Sequence, residues 1–258
     1  QLGGKSERAV ELLLEMRELG LKPNAISYRT AINVCGKGGK SEHAVELLKE
    51  MKEFGIQPDM IGYSAAISAC EKCGKWERAA ELLEEMRECG VKPDVLVYNA
   101  AISACGACGE WRRALGLLEE MKEQHTWPDV TSYNTAITAC KKGQEGQEAL
   151  RMFSELRQWH KPDVISYNVA ISACGAGEKW GLALWLVDDM KEERSWPDVT
   201  SYSAAISACE KGRLWEEALC KLSELRHCYK PDVISYSAAI SACGAGEKWG
   251  LALWLVEE

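Results

Sequence analysis

Between Val95 and Asp129 apolar residues fall at helical spacing twice over. Tyr98, Ile102 and Cys105 stand at i, i+4 and i+7, which places them on one face of a first helix. Gly106 and Gly109 are expected to close that helix, because glycine reaches the left-handed conformation favoured at helix ends. A second helix is predicted from Trp111. Its apolar stripe is Trp111, Ala114, Leu115, Leu118 and Met121, and Arg112, Arg113, Glu119, Glu120, Lys122 and Glu123 should be solvated. The segment Gln124 to Trp127 turns the chain back to Pro128.

The same plan recurs along the chain. Second helices carry Ala44, Leu47, Leu48 and Met51; Ala79, Leu82, Leu83 and Met86; and Ala149, Met152, Phe153 and Leu156. Pro23, Pro58, Pro93, Pro128, Pro162, Pro197 and Pro231 are separated by 35, 35, 35, 34, 35 and 34 residues, each followed by Asp or Asn and, five residues on, by tyrosine. The proline-acid pair is expected to end the preceding element. The 34-residue steps place a missing residue in the turn after the second helix, at Arg157 to Lys161 and Arg226 to Lys230. A fixed period in this range predicts an all-α fold, a right-handed α-solenoid of stacked helix-turn-helix hairpins, because one hairpin cannot bury both of its stripes. The expected organisation is a single array over 1–258: a partial hairpin at 1–24, complete units at 25–59, 60–94, 95–129, 130–163, 164–198 and 199–232, and a truncated unit at 233–258. Val164 to Val187 and Val233 to Val256 are nearly the same sequence 69 residues apart, which points to growth by copying pairs of repeats. The abrupt ends read as those of a piece of a longer array.

With 47% hydrophobic and 27% charged residues the composition is that of a soluble chain, and no apolar run approaches the roughly 18 residues of a membrane span. No membrane partner is expected. The first residue is Gln1, so a leader can be neither seen nor excluded. A net charge of −8 argues mildly against a generic nucleic-acid coat. Of twelve cysteines, Cys35, Cys70, Cys105, Cys140, Cys174, Cys209 and Cys243 keep the repeat spacing. Stacked repeats lie about 10 Å apart, beyond the ~7 Å reach of a disulfide, so these are read as small buried side chains in a reducing compartment. Cys70/Cys73 and Cys105/Cys108 have zinc-like spacing, but their second members share a column with Gly38, Gly143, Gly177, Gly212 and Gly246, which favours packing over metal. Trp76, Trp111, Trp180, Trp215 and Trp249 form a column at the start of the second helix, expected to pack between helices, and Trp185 and Trp254 are expected to pack as well. His43, His125, His160 and His227 share no column. Neither a catalytic constellation nor a cofactor site emerges.

A 35-residue hairpin with Tyr-Asn or Tyr-Ser opening its first helix, Ala-x-x-Leu-Leu-x-Glu-Met in its second and Pro-Asp at its end resembles the pentatricopeptide repeat family, in its plain class. Val95-Leu-Val-Tyr98-Asn99, Leu118-Glu-Glu-Met121 and Pro128-Asp129 carry the match, which extends over essentially the whole chain. The resemblance implies a non-enzymatic protein that binds single-stranded RNA along a concave groove, one base per repeat. It also implies action in a plastid, or alternatively a mitochondrion, in RNA stabilisation, processing or editing alongside RNA-processing proteins. A helical-repeat scaffold for protein partners is the competing reading.

By the same resemblance, the polar residue after each tyrosine and the acid closing that repeat face the base together. The pairs are Arg29 with Asp59, Ser64 with Asp94, Asn99 with Asp129, Asn134 with Asp163, Asn168 with Asp198, and Ser203 with Asp232; Ser237 and Asn24 each lack a partner in the sequence. A carboxylate only accepts hydrogen bonds, whereas an amide or hydroxyl also donates, so the pair sets the pattern shown to the base. Asn with Asp resembles a uracil reader and Ser with Asp a guanine reader, which gives 5′-NGUUUG-3′, with N open because Arg29 departs from the pattern. Ile26, Ile61, Leu96, Thr131, Ile165, Thr200 and Ile234 match the side chains that sandwich the base, the two threonines being expected to grip less. Lys37, Lys72, Lys142 and Lys211 are weak phosphate candidates, and four such contacts imply a salt slope of about −3.

Overall fold

The computed structural model describes residues 3–248 and 250–252; Trp249, Trp254 and Val256 lie outside the described residues. After α1 (Gly3–Glu18), first and second helices of successive repeats follow in sequence: α2 (Ala25–Lys37) and α3 (Ser41–Glu53), α4 (Met60–Lys72) and α5 (Trp76–Glu88), α6 (Val95–Ala107) and α7 (Trp111–Glu123), α8 (Val130–Lys142) and α9 (Gly146–Trp159), α10 (Val164–Ala176) and α11 (Trp180–Glu192), α12 (Val199–Gly212) and α13 (Trp215–Cys228), then α14 (Val233–Ala245). No strand occurs among the described residues.

The contacts divide the chain into two compact units, residues 1–135 and 136–258. In the first, α2 packs on α4 and α4 on α6; each also packs on its own second helix and on the second helix, or α1, that precedes it. In the second, α10, α12 and α14 pack in the same succession, with α9, α11 and α13 against them. Each unit is a run of stacked helical hairpins. A first helix therefore has helix neighbours on several sides, which is why α6, α10 and α14 carry small or apolar residues almost all the way round, while α5 and α7 keep a one-sided stripe. Tyr98, Ile102 and Cys105 are fully buried, and Leu117 joins the stripe of α7.

Four expectations from the sequence change, two of them at the helix ends. The proline-acid pair does not merely end the preceding element: Asp59, Asp94, Asp163, Asp198 and Asp232 are the N-caps of the helices that follow, with extended backbone. Gly106 lies buried inside α6 rather than at its end, which Gly109 marks with a φ of 81°. At Gly36, the equivalent residue of α2, a Cβ would lie 2.5 Å from the Ala65 carbonyl oxygen on the neighbouring α4.

Glu120, read as solvated, is instead part of an internal clasp. In four repeats the buried tyrosine donates its hydroxyl to an acid on its own second helix: Tyr28 to Glu50 at 2.8 Å, Tyr63 to Glu85 at 2.9 Å, Tyr98 to Glu120 at 3.2 Å and Tyr167 to Asp189 at 2.9 Å. The same acid is held by a base from the preceding second helix, Arg17 on Glu50, Lys52 on Glu85, Arg87 on Glu120 and Arg157 on Asp189. Burial, reinforced by the adjacent carboxylate, pushes the Tyr28 and Tyr98 hydroxyls up to about 12. Charged residues beside the stripe thus tie hairpin to hairpin, where a helical-wheel reading sees only a solvated face.

The period of 34 has a backbone cause. Second helices that lie within 35-residue steps are followed by a left-handed residue, Gly55, Gly90, His125 or Arg194, as α1 is by Gly20. In the shorter repeats that residue is missing, and α9 and α13 run directly into extended His160 and Tyr229.

The seven column cysteines are buried, and all twelve cysteines are free thiols. Cys73 and Cys108 donate back to the carbonyls of Gly39 and Gly74 at 2.8 and 2.9 Å. Trp180 and Trp215 cover Gly212 and Gly246, where a Cβ would come within 2.8 and 2.5 Å of the rings. Trp185, expected to pack, is exposed, because it shares the outer face of α11 with exposed Gly181 and Leu182. Among the described residues no helix is long and apolar enough to cross a membrane. Nor do three or more His, Cys, Asp or Glu side chains there gather into a group that could hold a metal ion.

Candidate nucleic-acid interface

Each first helix begins by the same local chemistry. The capping side chain accepts from the backbone N–H three residues on: Asn24 from Ser27 at 3.0 Å, Asp59 from Gly62 at 3.0 Å, Asp94 from Val97 at 2.9 Å, Asp129 from Ser132 at 2.8 Å, Asp163 from Ser166 at 2.7 Å, and Asp198 and Asp232 from Ser201 and Ser235 at 2.8 Å. This satisfies one of the orphan donors at a helix start and, at every cap but the neutral Asn24, places a negative charge at the positive end of the helix dipole. Because the cap opens one repeat while closing the last, it is fixed beside the first helix of the repeat it closes.

The candidate reading pairs meet in four repeats. Arg29 Nη1 lies 3.4 Å from Asp59 Oδ2, Asn99 Nδ2 3.4 Å from Asp129 Oδ1, Asn168 Nδ2 3.2 Å from Asp198 Oδ1, and Ser203 Oγ 3.4 Å from Asp232 Oδ1. No hydrogen bond joins Ser64 to Asp94, where Ser64 stays half-buried. Asn134 lies on α8 in the first unit and Asp163 caps α10 in the second. Ser237 is exposed on α14. Ser203 is the most enclosed reader at 7% exposure, and its hydroxyl also lies 2.7 Å from the Val199 carbonyl.

The candidate stacking residues all face solvent: Ile26, Ile61, Leu96, Ile165 and Ile234 are exposed large apolar side chains, and Thr131 and Thr200 are exposed too. Each sits in the first turn of its helix, three residues before the reader. An apolar side chain and a polar pair therefore alternate along the stacked first helices within each unit. Lys37, Lys142 and Lys211 are exposed at the ends of their helices. Lys72 is also exposed, but its ammonium donates to the Gly36 and Lys37 carbonyls at 3.0 and 3.4 Å, capping the preceding first helix.

One set of participants was missed in the sequence, the serines two residues before the readers. Ser132 Oγ lies 2.9 Å from Asp129 Oδ1, Ser166 Oγ 2.8 Å from Asp163 Oδ1, Ser201 Oγ 3.0 Å from Asp198 Oδ1 and Ser235 Oγ 2.6 Å from Asp232 Oδ1. The Asp-x-x-Ser spacing signals a capping pair and could have revealed them. Partial burial acts to raise the Asp129 carboxyl, but the bonds from Ser132 and Asn99 outweigh it and hold it below the usual carboxylate range. The Ser235 hydroxyl and N–H lower the Asp232 carboxyl in the same way. Both stay anionic acceptors at neutral pH.

Stacked helical hairpins with one repeated polar and apolar column define a helical-repeat protein. The pentatricopeptide repeat domain profile matches residues 2–38 and 46–108, the PPR repeat family profile residues 93–142, and the PPR repeat profile residues 26–56, 131–160, 165–195 and 200–228. The chain belongs to the pentatricopeptide repeat family. Among solved structures it is similar to the pentatricopeptide repeat protein PPR10 from maize, with 30% identity and a TM-score of 0.70 over 92% of this chain and 34% of that one. It is also similar in fold to the PPR domain of Arabidopsis thaliana protein-only RNase P 1, solved in complex with tRNA, with 17% identity and a TM-score of 0.57 over 72% of this chain and 95% of that one. A third likeness is to nuclear proteinaceous RNase P 2 of A. thaliana, with 11% identity and a TM-score of 0.58 over 66% of this chain and 39% of that one. The chain spans about a third of the length of the maize protein. No curated protein sequence matches it.

Proposed function

We propose that the protein binds single-stranded RNA in a sequence-dependent way, one base per repeat, with 5′-NGUUUG-3′ as the stretch its six complete repeats read. The observation that carries this is the meeting of reader and acid within hydrogen-bond reach in four repeats, from 3.2 to 3.4 Å. A donor-acceptor side chain held beside a carboxylate, with an exposed aliphatic side chain one turn earlier, offers a base both an edge to pair with and a face to stack on. Nothing in that arrangement activates a nucleophile, so its role is binding, and any chemistry on the transcript belongs to a partner or to a segment outside this sequence. The setting that fits is a plastid or mitochondrial transcript that is stabilised, processed or edited.

The test is a titration of the chain with labelled single-stranded NGUUUG and with a scrambled oligonucleotide at fixed salt. Tighter binding of NGUUUG is expected; equal binding of both, or none, sinks the reading. Asn134→Ser should move the preference at the fourth base from uracil to guanine, and an unchanged preference would show that this residue does not read the base.

A further inference from the structure

The repeats that share a reader pair do not share its surroundings. Ser201, the third residue of α12, is fully buried, and its hydroxyl lies 2.5 Å from Asn168 Oδ1 and 3.0 Å from Asp198 Oδ1 while accepting the Asp198 N–H at 3.1 Å. We infer that Ser201 is a third, positioning member of this base reader, which locks the Asn168 amide so that it shows the base a donor. The inference rests on the base-reading assignment above.

The lock follows from counting protons. A carboxylate accepts only, so Asn168 must turn its NH2 toward Asp198, where Nδ2 lies 3.2 Å from Oδ1. That rotation aims the amide oxygen at Ser201. The hydroxyl has one proton to give, and Asp198 Oδ1 already accepts the Ser201 backbone N–H at 2.8 Å, so the proton goes along the shorter contact to Asn168. The amide oxygen is then engaged inside the protein. What remains for a ligand is the second N–H of Asn168. That donor suits a base edge carrying a carbonyl, as uracil does at its 4-position, and opposes the amino group that cytosine carries there.

The other repeats set the contrast. In the first unit Asn99, Asp129 and Ser132 repeat the same three residue types, but the amide oxygen of Asn99 is buried without a partner. Gly62 and Val97 stand in the serine's place beside Arg29/Asp59 and Ser64/Asp94, and offer no hydroxyl. Beside Ser203, Ser235 Oγ lies 2.7 Å from the reader's hydroxyl and 2.6 Å from Asp232. Repeats with identical reader pairs are thus built to discriminate to different degrees.

The experiment is Ser201→Ala, measured by competition between two RNAs that differ only at the fifth base, uracil or cytosine. Losing one neutral hydrogen bond should lower the uracil preference there by about two- to tenfold. Preference at the sixth base stays unchanged. In the free protein, the Asn168 side-chain amide signals of a nitrogen-15 spectrum should shift. Because Gly62 fills the equivalent place in folded α4, Ser201→Gly serves as the second variant. A wild-type chain that does not distinguish the two RNAs sinks both the base-reading assignment and this inference. A wild-type chain that distinguishes them, while both variants keep the full ratio and the Asn168 signals do not move, overturns the lock alone.

Discussion

On the proposed reading Asp129 carries two roles on one carboxylate, helix cap and base reader, and two substitutions separate them. Its Oδ1 accepts from the Ser132 N–H at 2.8 Å and the Ser132 hydroxyl at 2.9 Å, and receives Asn99 Nδ2 at 3.4 Å. Asp129→Ala removes the helix cap and leaves the donors of fully buried Ser132 without their acceptor, so a loss toward the upper end of a cap's worth, about 1–2 kcal/mol, is expected. For a chain of this length that lowers the melting midpoint by about 2–4 °C. Asp129→Asn retains a cap oxygen and should stay within a few tenths of a kcal/mol of the parent. At the third base the two variants should behave alike, because a neutral amide no longer offers an anionic acceptor, and both should lose uracil preference. The folded carboxyl is depressed, so its contribution is present above the ordinary carboxylate value near 4 and fades as the pH falls through the folded value. The gap between the parent and the alanine variant should therefore narrow in acid. Circular dichroism melts between pH 3 and 7 and oligonucleotide competition give the two orderings. Equal melting of Ala and Asn, or full uracil preference in Asn, would refute the shared role.

In the native protein a thiol reagent should titrate Cys73, Cys89, Cys108, Cys220 and Cys228, with the seven column cysteines reacting only on unfolding, since burial shields them and pushes Cys70 and Cys105 up to about 11; rapid reaction of all twelve would contradict the packing. Tyr28 and Tyr98 have folded values raised to about 12, so their stabilisation is complete below about pH 10 and lost as the pH climbs through 12. Ultraviolet titration should show those tyrosines ionising together with the loss of helix, and ionisation near 10 in a fully helical chain would refute the clasp. Glu178 has a φ of 59°, whereas the equivalent Gly39, Gly74 and Gly109 are glycines, so Glu178→Gly should stabilise by roughly 0.5–1 kcal/mol in urea unfolding; destabilisation would count against the left-handed turn.

The hairpins, their period and the buried faces are legible in the sequence because helix packing repeats a local rule: Tyr, Ile and Cys at helical spacing can be buried only on one side, and proline with aspartate marks each junction. The position of the missing residue in the 34-residue steps is legible for the same reason. The resemblance that supplied the reader pairs is also carried by short, local strings of residues.

What neighbours do to one another is not local. That Glu120 is clamped between Tyr98 and Arg87, that Gly36 admits no side chain against Ala65, that Trp185 faces outward and that Lys72 caps the previous repeat all depend on which hairpin face meets which. So does the difference between Asn168 and Asn99, which the sequence presents as the same reader. By itself the sequence determined the repeated unit and the types of side chain in each column. Only the tertiary structure decided which atoms of those side chains are already occupied, because a hydrogen bond between consecutive repeats needs atoms about 3 Å apart that lie some thirty residues apart along the chain.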